Sequence, residues 1–237
     1  MKRHDPCDER RNPSLRSATY AVRAPLADWL RAEASRAAQD FGRFRLLDVG
    51  CGAKPYEPLF APFAGEYVGV DVGNPGAQLE GAVESLPVED GSFQVVLCTQ
   101  VLEHAADPAR AVAEMSRATA PGGRVLASTH GVQAYHPNPD DFWRWTHAGL
   151  QRLFEQNGEW RSVTVKPGSG TASCVAMVLA VYGDLLLRKR LRLGFASEWL
   201  SSLLNRAGRG LDARSDVLRE PGPGTLFANY HVVAEKA

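Results

Sequence analysis

Short, unbroken apolar runs that alternate with helical stretches constrain this chain more than any other feature. Residues 45–49 (RLLDV), 67–70 (YVGV), 93–98 (FQVVLC) and 123–128 (GRVLAS) are such runs, bounded by glycine or polar turn residues. A strand with one wet face alternates apolar with polar, so continuous runs point to strands covered on both sides. Helical stretches lie between them. Residues 25–41 put Leu26, Trp29, Leu30, Ala34, Ala37 and Phe41 on one face, with Pro25 in the first turn and Gly42 as the stop. Asp107 followed by Pro108 opens a second helix, and Thr146 caps a third that stops at Asn157 and Gly158. Strand–helix alternation of this kind predicts an α/β fold with a parallel sheet and right-handed crossovers.

The last third is less regular. Residues 161–166 and 226–233 read as strands, and the simplest pairing for them is antiparallel. The 167–225 segment between them is far longer than an ordinary connection and reads as a helical insert, two helices and a loop. Its apolar run, 172–183, has 12 residues before Asp184, short of the ~20 that cross a bilayer. A basic cluster (RKRLR, 188–192) follows, then an amphipathic stretch around Trp199, Leu200, Leu203 and Leu204. Residues 184–219 hold eight basic and four acidic side chains, a local charge of +4. Packing on the sheet with a solvated basic edge is the plainest reading; a homodimer face and a peripheral membrane contact through 172–192 are the others.

Composition narrows the rest. Of 237 residues, 27 are Lys or Arg and 27 are Asp or Glu, and this balance argues against a nucleic-acid partner. Hydrophobic content of 44% with 23% charge fits a globular chain rather than a disordered one. We expect one domain over 21–237 and, because residues 1–20 are charged and lack the apolar core of a secretory signal, a mobile tail before it. Cys7, Cys51, Cys98 and Cys174 form no CxxC pair, so neither a zinc site nor a disulfide framework is expected, and a cytoplasmic setting is.

The strongest local signal is LLDVGCGA, 46–53: a strand that breaks into glycines at its carboxyl end, where ligands of open parallel sheets bind. The next strand ends in Asp71, 21 positions after Gly50, the spacing at which a carboxylate reaches ribose hydroxyls. An adenosine-containing ligand is implied. The dinucleotide form G-x-G-x-x-G is broken here by Pro55, which disfavours an NAD-dependent oxidoreductase. No GxxxxGK[ST] is present. The segment 130–146 follows the strand ending at Ser128 and is dense in His, Tyr, Asp, Arg and Trp. His130, Tyr135, His136, Trp143 and Arg144 are its candidates for contact with a second substrate. The aromatic residues equally suit packing over the core, and Arg144 suits an ion pair with Asp140 or Asp141.

Read in order, LLDVGCG, YVGVD, AVESLPVEDGSFQVVLCTQVLEH and APGGRVL resemble the class I S-adenosylmethionine-dependent methyltransferases, in particular their small-molecule, type 11-like branch. The resemblance covers about residues 44–160. It implies a Rossmann-like, doubly wound, mostly parallel seven-stranded sheet with the last strand antiparallel. It also implies S-adenosyl-L-methionine as cofactor, no metal, and methyl transfer by direct displacement to an oxygen or nitrogen of a small-molecule or glycan-type acceptor. By the same resemblance Asp48, Gly50, Cys51 and Gly52 surround the methionine end, and Asp71 with Val72 holds the ribose. Glu84, Ser85 and Leu86 then frame the adenine, and Thr99 and Gln100 line the cleft. His104 and His136 are the candidate catalytic residues. A catalytically inactive cofactor-binding regulator fits the same motifs.

Overall fold

A computed structural model describes residues 6–137 and 139–237. Its centre is a sheet of seven strands: β1 (Phe44–Val49), β2 (Ala64–Asp71), β3 (Leu79–Glu80), β4 (Phe93–Thr99), β5 (Thr119–His130), β6 (Trp160–Pro167) and β7 (Asn229–Lys236). Their order is β3-β2-β1-β4-β5-β7-β6, parallel except for β7, which runs antiparallel to both β5 and β6. The doubly wound sheet is therefore as the sequence implies, with the two-residue β3 added at one edge.

Alternation along the central strands supplies two cores. Leu47, Val96, Cys98, Val125 and Ala127 face a layer that includes α4 (Pro108–Ala118) and α5 (His147–Gln156). Leu46, Val95, Leu97 and Leu126 face the other way, onto α2 (Tyr20–Phe41) and the short α3 (Glu57–Phe60). Both faces are thus dry, which is why the strand sequences read as unbroken apolar runs. The caps are where sequence puts them: Asp107 Oδ1 accepts from Arg110 N at 3.0 Å, and Thr146 Oγ1 accepts from Gly149 N at 3.1 Å.

Two expectations need correction. Helix α2 begins at Tyr20, five residues before the expected start, so Pro25 lies inside it. Residues 6–20 are not a mobile tail. Pro6–Arg11 forms α1, and Arg11 Nη1 donates to Pro55 O at 2.9 Å. The carbonyls of Leu15 and Ser17 accept from Asn205 Nδ2 at 2.8 and 2.9 Å. These backbone bonds hold the segment as a strap across the molecule; residues 1–5 lie outside the described residues.

The insert before the last strand is a helical hairpin. Helix α6 (Thr171–Asp184) runs on through a π-helical turn (Leu185–Arg190), and α7 (Gly194–Asp212) returns beside it. Together Thr171–Arg190 makes 20 helical residues, longer than the apolar run alone suggests. Its anchor on the body is a small cluster of Cys174 and Met177 with Ala21, Val22 and Ala228. The seam between the two helices is built from small and polar residues. A Cβ on Gly208 would stand 2.9 Å from Ser173 Cα, and one on Gly183 would stand 2.7 Å from Leu200 Cδ2. The buried positions of α7 are Ser197, Ser201, Asn205, Gly208 and Asp212. Its apolar residues Trp199 and Leu203 point outward, so the plain reading of an apolar face packed on the sheet does not hold.

Asp212 closes this seam: its two carboxylate oxygens accept from Ala172 N and Ser173 N, both at 3.0 Å, and satisfy the free amides at the start of α6. Asp212→Ala should therefore cost about 2 kcal/mol and lower Tm by about 4–8 °C. Thermal denaturation followed by circular dichroism tests it, and an unchanged Tm would show that the cap is idle.

Candidate active site

The site is built at the carboxyl ends of the parallel strands. Beyond β1 the chain turns sharply, with Gly50 N and Cys51 N both donating to Val70 O at 2.9 and 3.2 Å. Gly50 has φ +65°, and a Cβ there would meet Val101 Cγ2 at 2.5 Å, so only glycine fits. Gly52 has φ +51° with nothing within 4 Å of its missing Cβ, so the loop is open on that side. Asp71, at the end of β2, fixes the loop. Its Oδ2 accepts from Gly52 N at 2.7 Å and Asn74 Nδ2 at 3.1 Å, and its Oδ1 accepts from Val72 N at 2.8 Å. Val72 itself is exposed. Lys54, in the left-handed region, reaches Gln78 Oε1 with its Nζ at 2.6 Å, and the same oxygen accepts from Gly69 N.

Beneath the loop, Asp48 is buried and accepts from the Tyr67 hydroxyl at 2.6 Å. Burial pushes its carboxyl up to about 7, against the lowering effect of Tyr67 and Lys54. Cys51 is buried as well, and burial pushes its thiol up to about 11, so it is a packing residue and not a nucleophile.

The other strand ends complete this edge. Glu84 Oε1 accepts from Ala106 N at 2.9 Å and Asp107 N at 3.3 Å, which ties the 81–87 loop to the start of α4. Ser85 N donates to Ala82 O, and Leu86 is buried in the core, its amide held by Glu114 at 2.8 Å. Thr99 closes β4 opposite Ser128. Gln100 follows with φ +58°, strained for a residue with a side chain. Its Nε2 donates to Ser128 Oγ at 2.9 Å and Asn229 Oδ1 at 3.0 Å, so its amide braces three strands together.

On the side where a second substrate would enter, the fold assembles a cluster that no motif spacing shows. Glu103, after β4, is fully buried and accepts from Thr129 Oγ1 at 2.8 Å. His130, the last residue of β5, puts Nε2 3.1 Å from Glu103 Oε1. His136 stands edge-on to the rings of both His130 and His104, at 5.2 and 5.1 Å between centroids. One ligand atom each from Glu103, His130 and His136 falls within 4.8 Å of the others, close enough to share a cation or a bridging water. Access falls along the row, from His136 with 42% of its side chain exposed, through His130 at 7%, to Glu103 at none. Burial pushes Glu103 up to about 7 and His130 down to about 3, so at neutral pH the imidazole is uncharged and the carboxylate balances between its two forms. His104 is held through Nδ1 by the Asp140 carbonyl.

The 131–145 loop covers this cluster and is anchored to it. Phe142 N and Trp143 N both donate to the Glu103 carbonyl, and Trp143 Nε1 donates to Ala105 O at 2.8 Å. Arg144 forks onto Asp141 at 2.5 and 2.6 Å and holds that carboxyl well below the usual range; it also reaches the carbonyls of Gln133 and Ala134. Arg144 is therefore committed within the loop, the ion pair with Asp141 that its sequence position suggests. Tyr135 is 74% exposed and lies outside this network. The site residue that sequence does not single out is Glu103, whose only local signal is its place beside His104.

Asp48 gives a pH prediction. Its native pKa lies above the unfolded value near 3.9, so its contribution to stability is full below that value and is lost as pH rises through about 7. Asp48→Asn keeps an acceptor for Tyr67 and carries no charge. Its stability relative to the wild type should rise by about 3 kcal/mol between pH 5 and pH 8, read from urea midpoints. A difference independent of pH would mean that Asp48 does not titrate in this range.

Residues 47–127 match the family model described as a methyltransferase domain. The ubiquinone biosynthesis O-methyltransferase of Ralstonia nicotianae is 31% identical over 118 residues, which cover 43% of this chain and 48% of that protein. The chain thus spans less than half the length of the curated relatives it matches. Among solved structures, the [4+2]-cyclase SpnF superposes with a TM-score of 0.53 at 19% identity, covering 89% of this chain and 81% of the other. The 1,6-didemethyltoxoflavin-N1-methyltransferase of Burkholderia thailandensis, solved with S-adenosylhomocysteine, superposes with a TM-score of 0.53 at 14% identity, covering 88% and 78%. At such identities the structures share the fold alone. The domain match covers residues 47–127, about a third of the chain, and the sheet as a whole has the fold of these structures.

Proposed function

We propose that this protein transfers a methyl group from S-adenosylmethionine to an oxygen or nitrogen of a small-molecule or glycan-type acceptor. The observation that carries the reading is the shared edge: the glycine turn of the matched domain and the Glu103–His130–His136 row both lie at the carboxyl ends of the parallel strands. The residues present fit the cofactor. Gly52 leaves open space over the turn, and Asp71 offers a carboxylate at the ribose position with acceptor capacity beyond its three present donors. Asp48, Cys51, Val72, Ser85 and Thr99 surround it in this reading; Glu84, Leu86 and Gln100 serve mainly by holding the loops that line it. When bound, S-adenosylmethionine supplies a methyl carbon on a sulfonium, open to displacement by a nucleophile.

The chain's own part is alignment and proton removal. The 131–145 loop fixes the acceptor side through its bonds to Glu103. An attacking hydroxyl gives up its proton to His136, the exposed end of the row, and the proton passes by His130 to Glu103. His104 buttresses the His136 ring. Tyr135 and Trp143 contribute exposed ring surface for an acceptor.

Two measurements test this reading. S-adenosylmethionine should raise Tm where NAD does not, and Asp71→Ala should weaken its binding by about 10- to 100-fold in calorimetry. With labelled methyl donor and an acceptor library, Glu103→Gln should lower kcat by about 100- to 10,000-fold while cofactor affinity stays at the wild-type level. No melting shift with the methyl donor, or unimpaired turnover in Glu103→Gln, would overturn the corresponding assignment.

A further inference from the structure

The α6–α7 hairpin is built inside out for a surface element in water. Its seam is made of Ser173, Gly183, Ser197, Ser201 and Gly208, small enough for the two helices to touch closely. Leu200 packs against Gly183, and most of the other large apolar side chains face away from the seam. On α6 and the π-helical turn they form one stripe at helical spacing, Val175, Leu179, Tyr182 and Leu186, all exposed. On α7 they are Phe195, Trp199 and Leu203, with Phe195 exposed over 79% and Trp199 over 62% of their surface. Only one third of the apolar window within Thr171–Arg190 is buried. Contiguous apolar surface of this extent on a folded chain marks an interaction face, and small residues at the seam with large ones outside are the pattern of helices packed in lipid.

The charge at the tip selects the occupant. Arg188 pairs with Asp184 and Glu198, which uses the acidic residues nearest the turn. Lys189, Arg190 and Arg192 are exposed and make no ion pair among the described residues. Three unpaired cations therefore flank the apolar tip. A symmetric contact with a second copy through this patch would set like charges against each other, whereas anionic headgroups neutralise them.

We infer that the α6–α7 hairpin is a monotopic membrane anchor. Its outward apolar face sits among the acyl chains at the interface, and Lys189, Arg190 and Arg192 lie on anionic headgroups. The inference stands on the hairpin alone and not on the methyl-transfer reading. Vesicle binding without methyl transfer would remove that reading and leave this one intact.

Flotation of the full chain with phosphatidylcholine vesicles, with and without phosphatidylglycerol, tests it. Binding should require phosphatidylglycerol and fall as salt rises. The combined change Lys189→Gln, Arg190→Gln and Arg192→Gln should lower partitioning by about 100-fold. The pair Phe195→Ser and Trp199→Ser should lower it by at least about tenfold. These side chains are exposed, so both variants should keep the wild-type circular dichroism spectrum and Tm, which separates lost binding from lost folding. The wild-type tryptophan emission should shift to the blue on vesicles, and Trp199→Phe should remove that shift. Failure to float with phosphatidylglycerol, or wild-type partitioning of the triple variant, would overturn the proposal. So would a dimer in sedimentation equilibrium that Trp199→Ser dissociates, since the face would then belong to a second copy.

Discussion

The entry of β7 between β5 and β6 is the constraint from which most of the molecule follows. Running against its neighbours, β7 begins at the edge where β5 ends, so Asn229 stands opposite His130 and Tyr230 opposite Pro167. The excursion that separates β6 from β7 must then leave and return at one edge of the sheet, the same edge that carries the glycine turn. An insert of that length can add much surface, but the two ladders of hydrogen bonds pin both its feet beside the site. The same pairing brings Asn229 to Gln100, so the strained residue after β4 is held by a strand more than a hundred positions away in sequence.

Within this frame, polar groups decide where apolar ones go. Glu103 is buried with a raised pKa, which is costly for a carboxylate, and the loop that covers it uses that burial: two backbone amides close on its carbonyl. Arg144 and Asp141 finish the same loop with a forked pair. The hairpin follows a similar rule with the opposite sign. Serine, asparagine and aspartate line its seam, with Ser197 bonded to Asp184, Asp212 to the start of α6 and Asn205 to the strap, and most of the large apolar side chains are left on the outside.

How far sequence reached depends on the kind of signal. The glycine turn was legible because positive φ and close packing against Val101 demand glycine itself, a local requirement. The caps at Asp107 and Thr146 were legible for the same reason. The doubly covered strands declared themselves through unbroken apolar runs. Glu103 did not, because an acid beside a histidine after a strand reads as solvated charge until β4 and β5 are placed side by side. The orientation of α7 was hidden too: periodicity shows that one face is apolar and cannot say which face finds a neighbour. The strap at residues 6–20 escaped because its hold comes through backbone carbonyls, which every sequence possesses.

That strap gives the protein a mechanical property. It is bonded at one end to the glycine turn, through Arg11 and Pro55, and at the other to the middle of α7, through Asn205 and the carbonyls of Leu15 and Ser17. The glycine turn and the helix that carries Phe195 and Trp199 are thus yoked by the seven residues from Arg11 to Ser17. The hairpin and the glycine turn are thereby linked along a path that runs outside the sheet, over α2, to which Arg31 ties the strap at Arg11 and Asn12.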